Sequence, residues 1–114
     1  MDLLNELNLL CQKLSQAIKL MSQYGKELAE AEKNYKIALR QEALKLRSGD
    51  MAVTLIQQVV YGVPEVADKR FKRDVAEAMR DTARENINAL KLQIRVLMEQ
   101  IKLEWGNANE RNVE

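Results

Sequence analysis

The sequence predicts an all-α protein: a long antiparallel helical hairpin of coiled-coil type with a short connector helix at its tip. Apolar residues recur every seven positions over about five heptads of the N-terminal half. Turn residues are scarce, with one Pro and four Gly in 114 residues, and only 4% of the residues are aromatic. This composition is typical of a helical bundle rather than a β-sandwich. The heptad ladder consists of Leu7, Leu14, Met21, Leu28 and Tyr35 in one row and Leu3, Leu10, Ala17, Tyr24, Ala31 and Ala38 in a second row.

The first helix is predicted from about residue 3 to residue 47. A third apolar row broadens its stripe, which is typical of a helix with more than one neighbour. We expect Cys11, which lies in this row, to be a packed core thiol. As the only cysteine, it cannot form an intramolecular disulfide. The third row consists of Leu4, Cys11, Ile18, Leu39 and Leu46.

A connector follows the first helix. We expect Gly49 to end that helix in a left-handed conformation, and Asp50 to cap a short apolar helix from about 51 to 60. Gly62 ends this segment, and Pro64 stands where a first-turn proline is tolerated.

The second long helix is predicted from about 64 to 105, with Gly106 as its terminator. Its apolar face should pack on the first helix within one domain, residues 1–106, and we expect 107–114 to be a flexible polar tail. The predicted face consists of Val75, Met79, Ala83, Ile87, Leu90, Ile94, Leu97, Ile101 and Trp105.

A second apolar face occupies nearly the opposite side of the same helix, at Ala89, Leu92, Val96 and Leu103. One face can pack inside the hairpin, while the other needs a second subunit or a foreign partner. We therefore predict a homodimer of hairpins that forms a four-helix arrangement. The alternative is that the first helix and the connector helix together cover both faces.

The sequence offers no catalytic constellation. It contains no His and one Cys, so the commonest general base and a thiolate zinc cluster are both excluded. The acidic residues alternate with basic ones, as on solvated helix surfaces, and no glycine-rich phosphate loop is present. We predict a protein that is not an enzyme and has no catalytic, metal or cofactor site. An acidic N-terminus and the lack of an apolar span predict a cytoplasmic protein with no membrane association.

Basic residues concentrate near the predicted hairpin tip. Residues 33–74 contain nine basic and five acidic side chains, whereas the whole chain has a net charge of +1. The tip is therefore a candidate contact for nucleic-acid phosphates or for an acidic protein, and the alternative is a solvated mixed-charge face. Residues 55–71 also allow a helix-turn-helix reading, although their apolar register fits it loosely. The candidate contacts are Lys36, Arg40, Lys45, Arg47, Lys69, Arg70, Lys72 and Arg73.

Five segments carry a resemblance: 35–40, 53–56, 60–67, 92–95 and 104–106. The third contains the sequence YGVPEVA, which is less generic than the helical segments. In these segments the chain resembles small uncharacterised helical proteins encoded by phages and prophages of Gram-positive bacteria, often among early genes near replication and recombination functions. The resemblance implies a phage origin and the cytoplasm of the host cell, and it supplies no site residues.

Three functions remain open from the sequence. The first is an interaction protein that oligomerises through helical faces and binds a phage or host protein, with a role in replication, recombination or host defence. The second is a nucleic-acid-binding accessory protein that uses the basic tip. The third is a structural component of a virion or a scaffold.

Overall fold

The computed structural model describes residues 2–113, and within that range the protein is an all-α helical hairpin without strands. Helix α1 spans Leu3–Ser48 and α2 spans Val53–Val59. One turn of 3-10 helix, Val60–Gly62, leads into helix α3, Pro64–Val113. The predicted fold class is confirmed. No helix of the described residues contains an apolar stretch long enough to cross a bilayer.

The chain divides into two compact units, and both α1 and α3 contribute to each of them. The terminal unit comprises the described residues of Met1–Met21 and Thr82–Glu114. The connector unit is Ser22–Asp81, and it also contains α2 and the 3-10 turn. In the terminal unit α1 therefore packs against α3 alone, whereas in the connector unit it has a second helical neighbour.

The core of the connector unit is centred on Val66, whose surface is completely buried. Val66 of α3 packs in one cluster with Tyr35 of α1, Ile56 of α2 and Val60 of the 3-10 turn. All the helical elements of this unit therefore contribute a buried side chain to one core. The terminal unit has a smaller core, which consists of Ala17, Ile87 and Leu90 with Leu10, Leu14 and Met21 packed against it.

The heptad ladder of α1 is confirmed, because each of its eleven residues is buried or half-buried. The third row behaves differently in the two units. Leu39 and Leu46 pack against the connector core, but Leu4 and Ile18 in the terminal unit are exposed. Cys11 is exposed as well, so the prediction of a core thiol is wrong. The reason is that the terminal unit has no α2 to cover this side of α1.

The inward row of α3 alternates steps of three and four residues, and its members are all buried or half-buried. Val75, Met79 and Trp105 were predicted to lie in the core, but they are exposed. Val75 and Met79 each lie one residue away from the inward row, and Trp105 lies four residues beyond its last member, Ile101. In the connector unit several inward positions carry basic side chains, so a search for apolar residues selects their neighbours instead. The row consists of Val66, Lys69, Arg73, Ala76, Arg80, Ala83, Ile87, Leu90, Ile94, Leu97 and Ile101.

Helix α1 ends in a Schellman motif with Asp50 in the left-handed conformation, at a φ of 63°. The Met51 N–H donates to the Leu46 carbonyl (3.3 Å), and the Asp50 N–H donates to the Arg47 carbonyl (3.0 Å). The expected left-handed Gly49 is wrong, because no glycine among the described residues has a positive φ. The register of the motif makes Gly49 the C-cap residue, directly after Ser48, and Asp50 the left-handed residue that follows it.

The two ends of α2 also differ from the prediction, which placed this helix at 51–60. Ala52 rather than Asp50 precedes the first turn, and no side chain caps it, because Asp50 already completes the end of α1. At the other end, Val60 begins the 3-10 turn. Helix α3 then begins at Pro64, as predicted, after Val63 in the extended conformation that a residue before proline prefers.

The predicted end of the second long helix at Trp105 is wrong. Helix α3 passes through Gly106 and continues to Val113, so residues 107–113, expected to form a flexible tail, are helical. A glycine inside a helix costs only about 1 kcal/mol relative to alanine, and no proline follows to break the helix. Glu114 lies outside the described residues.

Candidate interaction surfaces

The predicted second face of α3 is exposed along its whole length. Leu92, Val96 and Leu103 are 57%, 60% and 69% exposed, respectively, and Ala89 at the end of the row is also exposed. Leu97, one position from Val96, is buried and lies near Leu10 of α1. The apolar row therefore lies beside the α1 contact on a surface that solvent reaches.

A groove runs along this side of the terminal unit, between α1 and α3, with a volume of about 550 Å³. We refer to it as the first groove. Leu92 and Val96 from the predicted row form part of its wall. The polar margin of this groove could not be predicted from the sequence, because charged residues at such positions look like ordinary solvated ones. The lining consists of Glu6, Leu9, Leu10 and Lys13 of α1 and Leu92, Gln93, Val96, Leu97 and Gln100 of α3.

The second groove, of about 600 Å³, also lies within the terminal unit. Leu4 and Leu7 of α1 line it together with Met98 and Trp105 of α3. Trp105, the only tryptophan of the chain, is 64% exposed. The terminal unit thus presents apolar surface in two separate grooves. Exposed patches of this kind mark protein interaction sites in many soluble proteins.

Several of the predicted basic contacts are engaged inside the connector unit. Lys45 pairs with Glu42 at 3.1 Å, and Lys72 pairs with Asp68 at 3.2 Å. Such exposed pairs contribute at most about 1 kcal/mol, so a phosphate could replace the carboxylate. The remaining engaged side chains use other groups: Arg47 donates to the Met51 carbonyl at 3.3 Å, and Arg70 lies over the Tyr61 ring at 5.6 Å.

Arg73 is held from two sides. Its guanidinium lies 4.7 Å from the centre of the Tyr35 ring, and it donates to the Asp74 carboxylate at 2.8 Å and 3.1 Å. The hydrogen bonds to Asp74 raise the pKa of Arg73 above its ordinary value. Since arginine is already charged at any accessible pH, this shift causes no pH dependence. The side chain, only 25% exposed, packs over the connector core.

The other basic contacts have no ion-pair partner among the described residues. Lys36 and Arg40 are exposed on α1, one turn apart, while Lys69 is half-buried on the inward row of α3. On the same side of α1 as Arg40, Ile37 and Leu44 are also exposed. The structure therefore leaves a shorter basic surface than the sequence predicted, carried mainly by α1.

Among the side chains that the structure describes, those of residues 2–108, no cluster of three or more acidic, cysteine or histidine residues is arranged to hold a metal ion. Comparisons with protein families, with curated proteins and with solved structures found no significant match to this chain. The phage resemblance therefore stays a prediction.

Proposed function

We propose that this chain is a non-enzymatic, phage-encoded interaction protein that oligomerises through the helical faces of its terminal unit and binds a phage or host protein in the host cytoplasm. The observation that carries the proposal is the exposed row at Leu92, Val96 and Leu103. Burying one such side chain is worth about 1.5 to 3 kcal/mol. A row of three therefore supplies a substantial driving force for association.

The location of this row supports the proposal further. It lies where α1 and α3 have no other helical neighbour, and its Leu92 and Val96 line an open groove together with Leu9 of α1. Apolar positions at helical spacing on the wall of a groove are typical of surfaces that receive another helix. A helical partner, from this chain or another, would bury both walls at once.

The test is the double substitution Leu92→Glu with Val96→Glu. We expect it to abolish self-association in sedimentation velocity at high micromolar concentration, because two charges would enter the contact. The matched control is Ile37→Glu with Leu44→Glu, which places the same charges on exposed apolar positions of the connector unit. The control should associate like the original protein.

Two outcomes contradict the proposal. One is a well-folded monomer at all concentrations, combined with capture of the same proteins from infected cells by the original chain and by the doubly substituted chain. The other is loss of association in the control variant alone, which would move the interface to the connector unit.

A second candidate function, nucleic-acid binding, is favoured by Lys36 and Arg40 on α1, which have no ion-pair partner among the described residues. If these residues contact phosphates, affinity must fall steeply as the salt concentration rises, because binding releases counterions. Lys36→Gln with Arg40→Gln should then weaken a gel shift and reduce its salt dependence. Lys19→Gln with Lys91→Gln, which removes two exposed charges from the terminal unit away from the first groove, is the control. Binding that is indifferent to all four changes excludes this function.

A further inference from the structure

The geometry points to a second copy of this chain as the occupant of the first groove, in an antiparallel arrangement whose register is set by Glu6 and Lys13. This inference rests on the proposed function and specifies its partner. It follows from the order of charges along the groove and from the level at which the two helices meet.

Glu6 and Lys13 lie at the margin of the first groove, seven residues apart on α1. Seven residues are about two helical turns, so both side chains project from the same side of the helix. Leu9 and Leu10 lie between them, and the midpoint of the four residues falls between these leucines. Neither Glu6 nor Lys13 has an ion-pair partner among the described residues, so each is available to another molecule.

Helix α3 has the same seven-residue spacing along the groove, with uncharged polar residues in place of the charged ones. Gln93 and Gln100 line the groove seven residues apart, with Val96 and Leu97 between them. The exposed row from Ala89 to Leu103 is centred on Val96 as well. On each helix, the midpoint between the two polar residues therefore lies inside the same groove.

The two midpoints lie at the same level. Ala17 packs in one cluster with Ile87 and Leu90, which places it level with about residue 88 or 89 of α3. Because the helices are antiparallel and rise equally per residue, eight steps back along α1 correspond to eight steps forward along α3. The Leu9 level therefore coincides with Val96 and Leu97.

A two-fold axis that crosses both helices at this level makes the groove complementary to itself. It places Glu6 of one copy opposite Lys13 of the other, and the reverse pair forms at the same time, as an isologous interface requires. Gln93 faces Gln100, whose amide can both donate and accept hydrogen bonds. On the apolar row, the small Ala89 faces the large Leu103. A two-fold axis parallel to the helices would instead place α1 of each copy against α3 of the other, so that the charges face the uncharged Gln93 and Gln100.

The test uses charge reversal measured by sedimentation equilibrium. Glu6→Lys and Lys13→Glu should each weaken dimerisation by about tenfold or more, because two attractive pairs become repulsive. The double reversal restores opposite charges at every pair and should dimerise like the original chain. An equimolar mixture of the two single variants should form a heterodimer, and the defect of each variant should shrink in roughly 1 M salt.

Two matched variants control for charge alone. Lys19→Glu and Glu85→Lys reverse exposed charges of the terminal unit that do not line the groove, and they should leave the dissociation constant unchanged. The fluorescence of Trp105 gives a second readout. Because this residue lines the second groove, its emission should not shift on dimerisation through the first groove.

These experiments distinguish a failure of the antiparallel register from a failure of the proposed function. If Leu92→Glu with Val96→Glu abolishes the dimer but all charge variants bind alike, the register is wrong and the proposed function stands. The same conclusion follows if the double reversal fails to restore the dimer. A blue shift of Trp105 emission on association overturns the assignment to the first groove. A monomeric original chain overturns both proposals.

Discussion

The heptad ladder of α1 runs through both units of this protein, but the third apolar row of α1 is covered in one unit and exposed in the other. In the connector unit, α1 has both α3 and α2 as neighbours, and Leu39 and Leu46 of its third row pack against the core. In the terminal unit α3 is the only helical neighbour, and Leu4 and Ile18 of the same row are exposed. The comparison shows that a broad apolar stripe demands a third helix. The chain supplies that helix in one unit, and we propose that another molecule supplies it in the other.

The largest expected effect tests whether the connector unit is closed. Val66→Asp would place a carboxylate at the only described side chain that is fully buried, where the charge has no partner. We expect the free energy of unfolding to fall by about 4 kcal/mol, measured by urea denaturation.

Ala67→Asp is the matched control for this change. It introduces the same charge in the same helical turn, but at an exposed position, so any interaction with the α3 N-terminus is similar in both variants. The control should change stability by less than about 0.5 kcal/mol. Similar losses in the two variants would mean that Val66 is not buried in solution.

The second prediction concerns the open side of the terminal unit. If this unit is completed by a second copy, the stability of the original chain must depend on its concentration. Each tenfold increase should add about 1.4 kcal/mol to the free energy of unfolding per dimer. Urea transitions recorded at three concentrations measure the effect. Leu92→Glu with Val96→Glu should remove the concentration dependence, and a midpoint of the original chain that never moves would refute the comparison drawn here.

The third prediction concerns the basic residues of the connector unit. Arg73→Met keeps an apolar stem but removes the charge above the Tyr35 ring, and it should lower the midpoint of thermal unfolding. Arg70→Met is the control, because Arg70 lies farther from its ring at 5.6 Å and Tyr61 is itself exposed. That variant should lower the midpoint by less than Arg73→Met does. Equal losses in thermal unfolding would show that Arg73 has no special structural role.

The sequence was sufficient for the fold class because heptad periodicity, the first-turn Pro64 and the scarcity of turn residues all depend on local physics. The assignment of core residues failed where an inward position of a helix carries a charged side chain or an exposed position carries an apolar one. Arg73 occupies an inward position that an apolar search assigns to its neighbours, since a long basic side chain can cover a core with its stem. Trp105 was assigned to the core because it follows Ile101 at a helical spacing of four residues, although its side chain is exposed and lines the second groove.

The candidate surfaces were predictable to a similar extent. The row at Leu92, Val96 and Leu103 could be found from helical angles alone. The groove could not be predicted, because its margin includes Glu6 and Lys13, which are far from α3 in the sequence. A charged residue on a helix surface does not indicate which other helix lies beside it. Pairing between α1 and α3 was needed to bring the two segments to one level.

The smallest expected effect concerns the connector itself, where sequence and structure disagree about which residue is left-handed. Gly49→Ala should be neutral or stabilising by about 0.5 kcal/mol, because an added Cβ would meet the Leu46 carbonyl oxygen at an ordinary 3.5 Å. Asp50→Gly should stabilise by about 0.5 to 1 kcal/mol, since glycine adopts a positive φ without steric cost. Both follow from equilibrium unfolding in urea. If Gly49 were the left-handed residue, alanine there would instead lower stability by about 1 kcal/mol, and Asp50→Gly would give no gain. Whether each substitution raises or lowers the free energy of unfolding therefore decides where α1 ends. The end of α1 in turn sets which residues of α2 pack into the core.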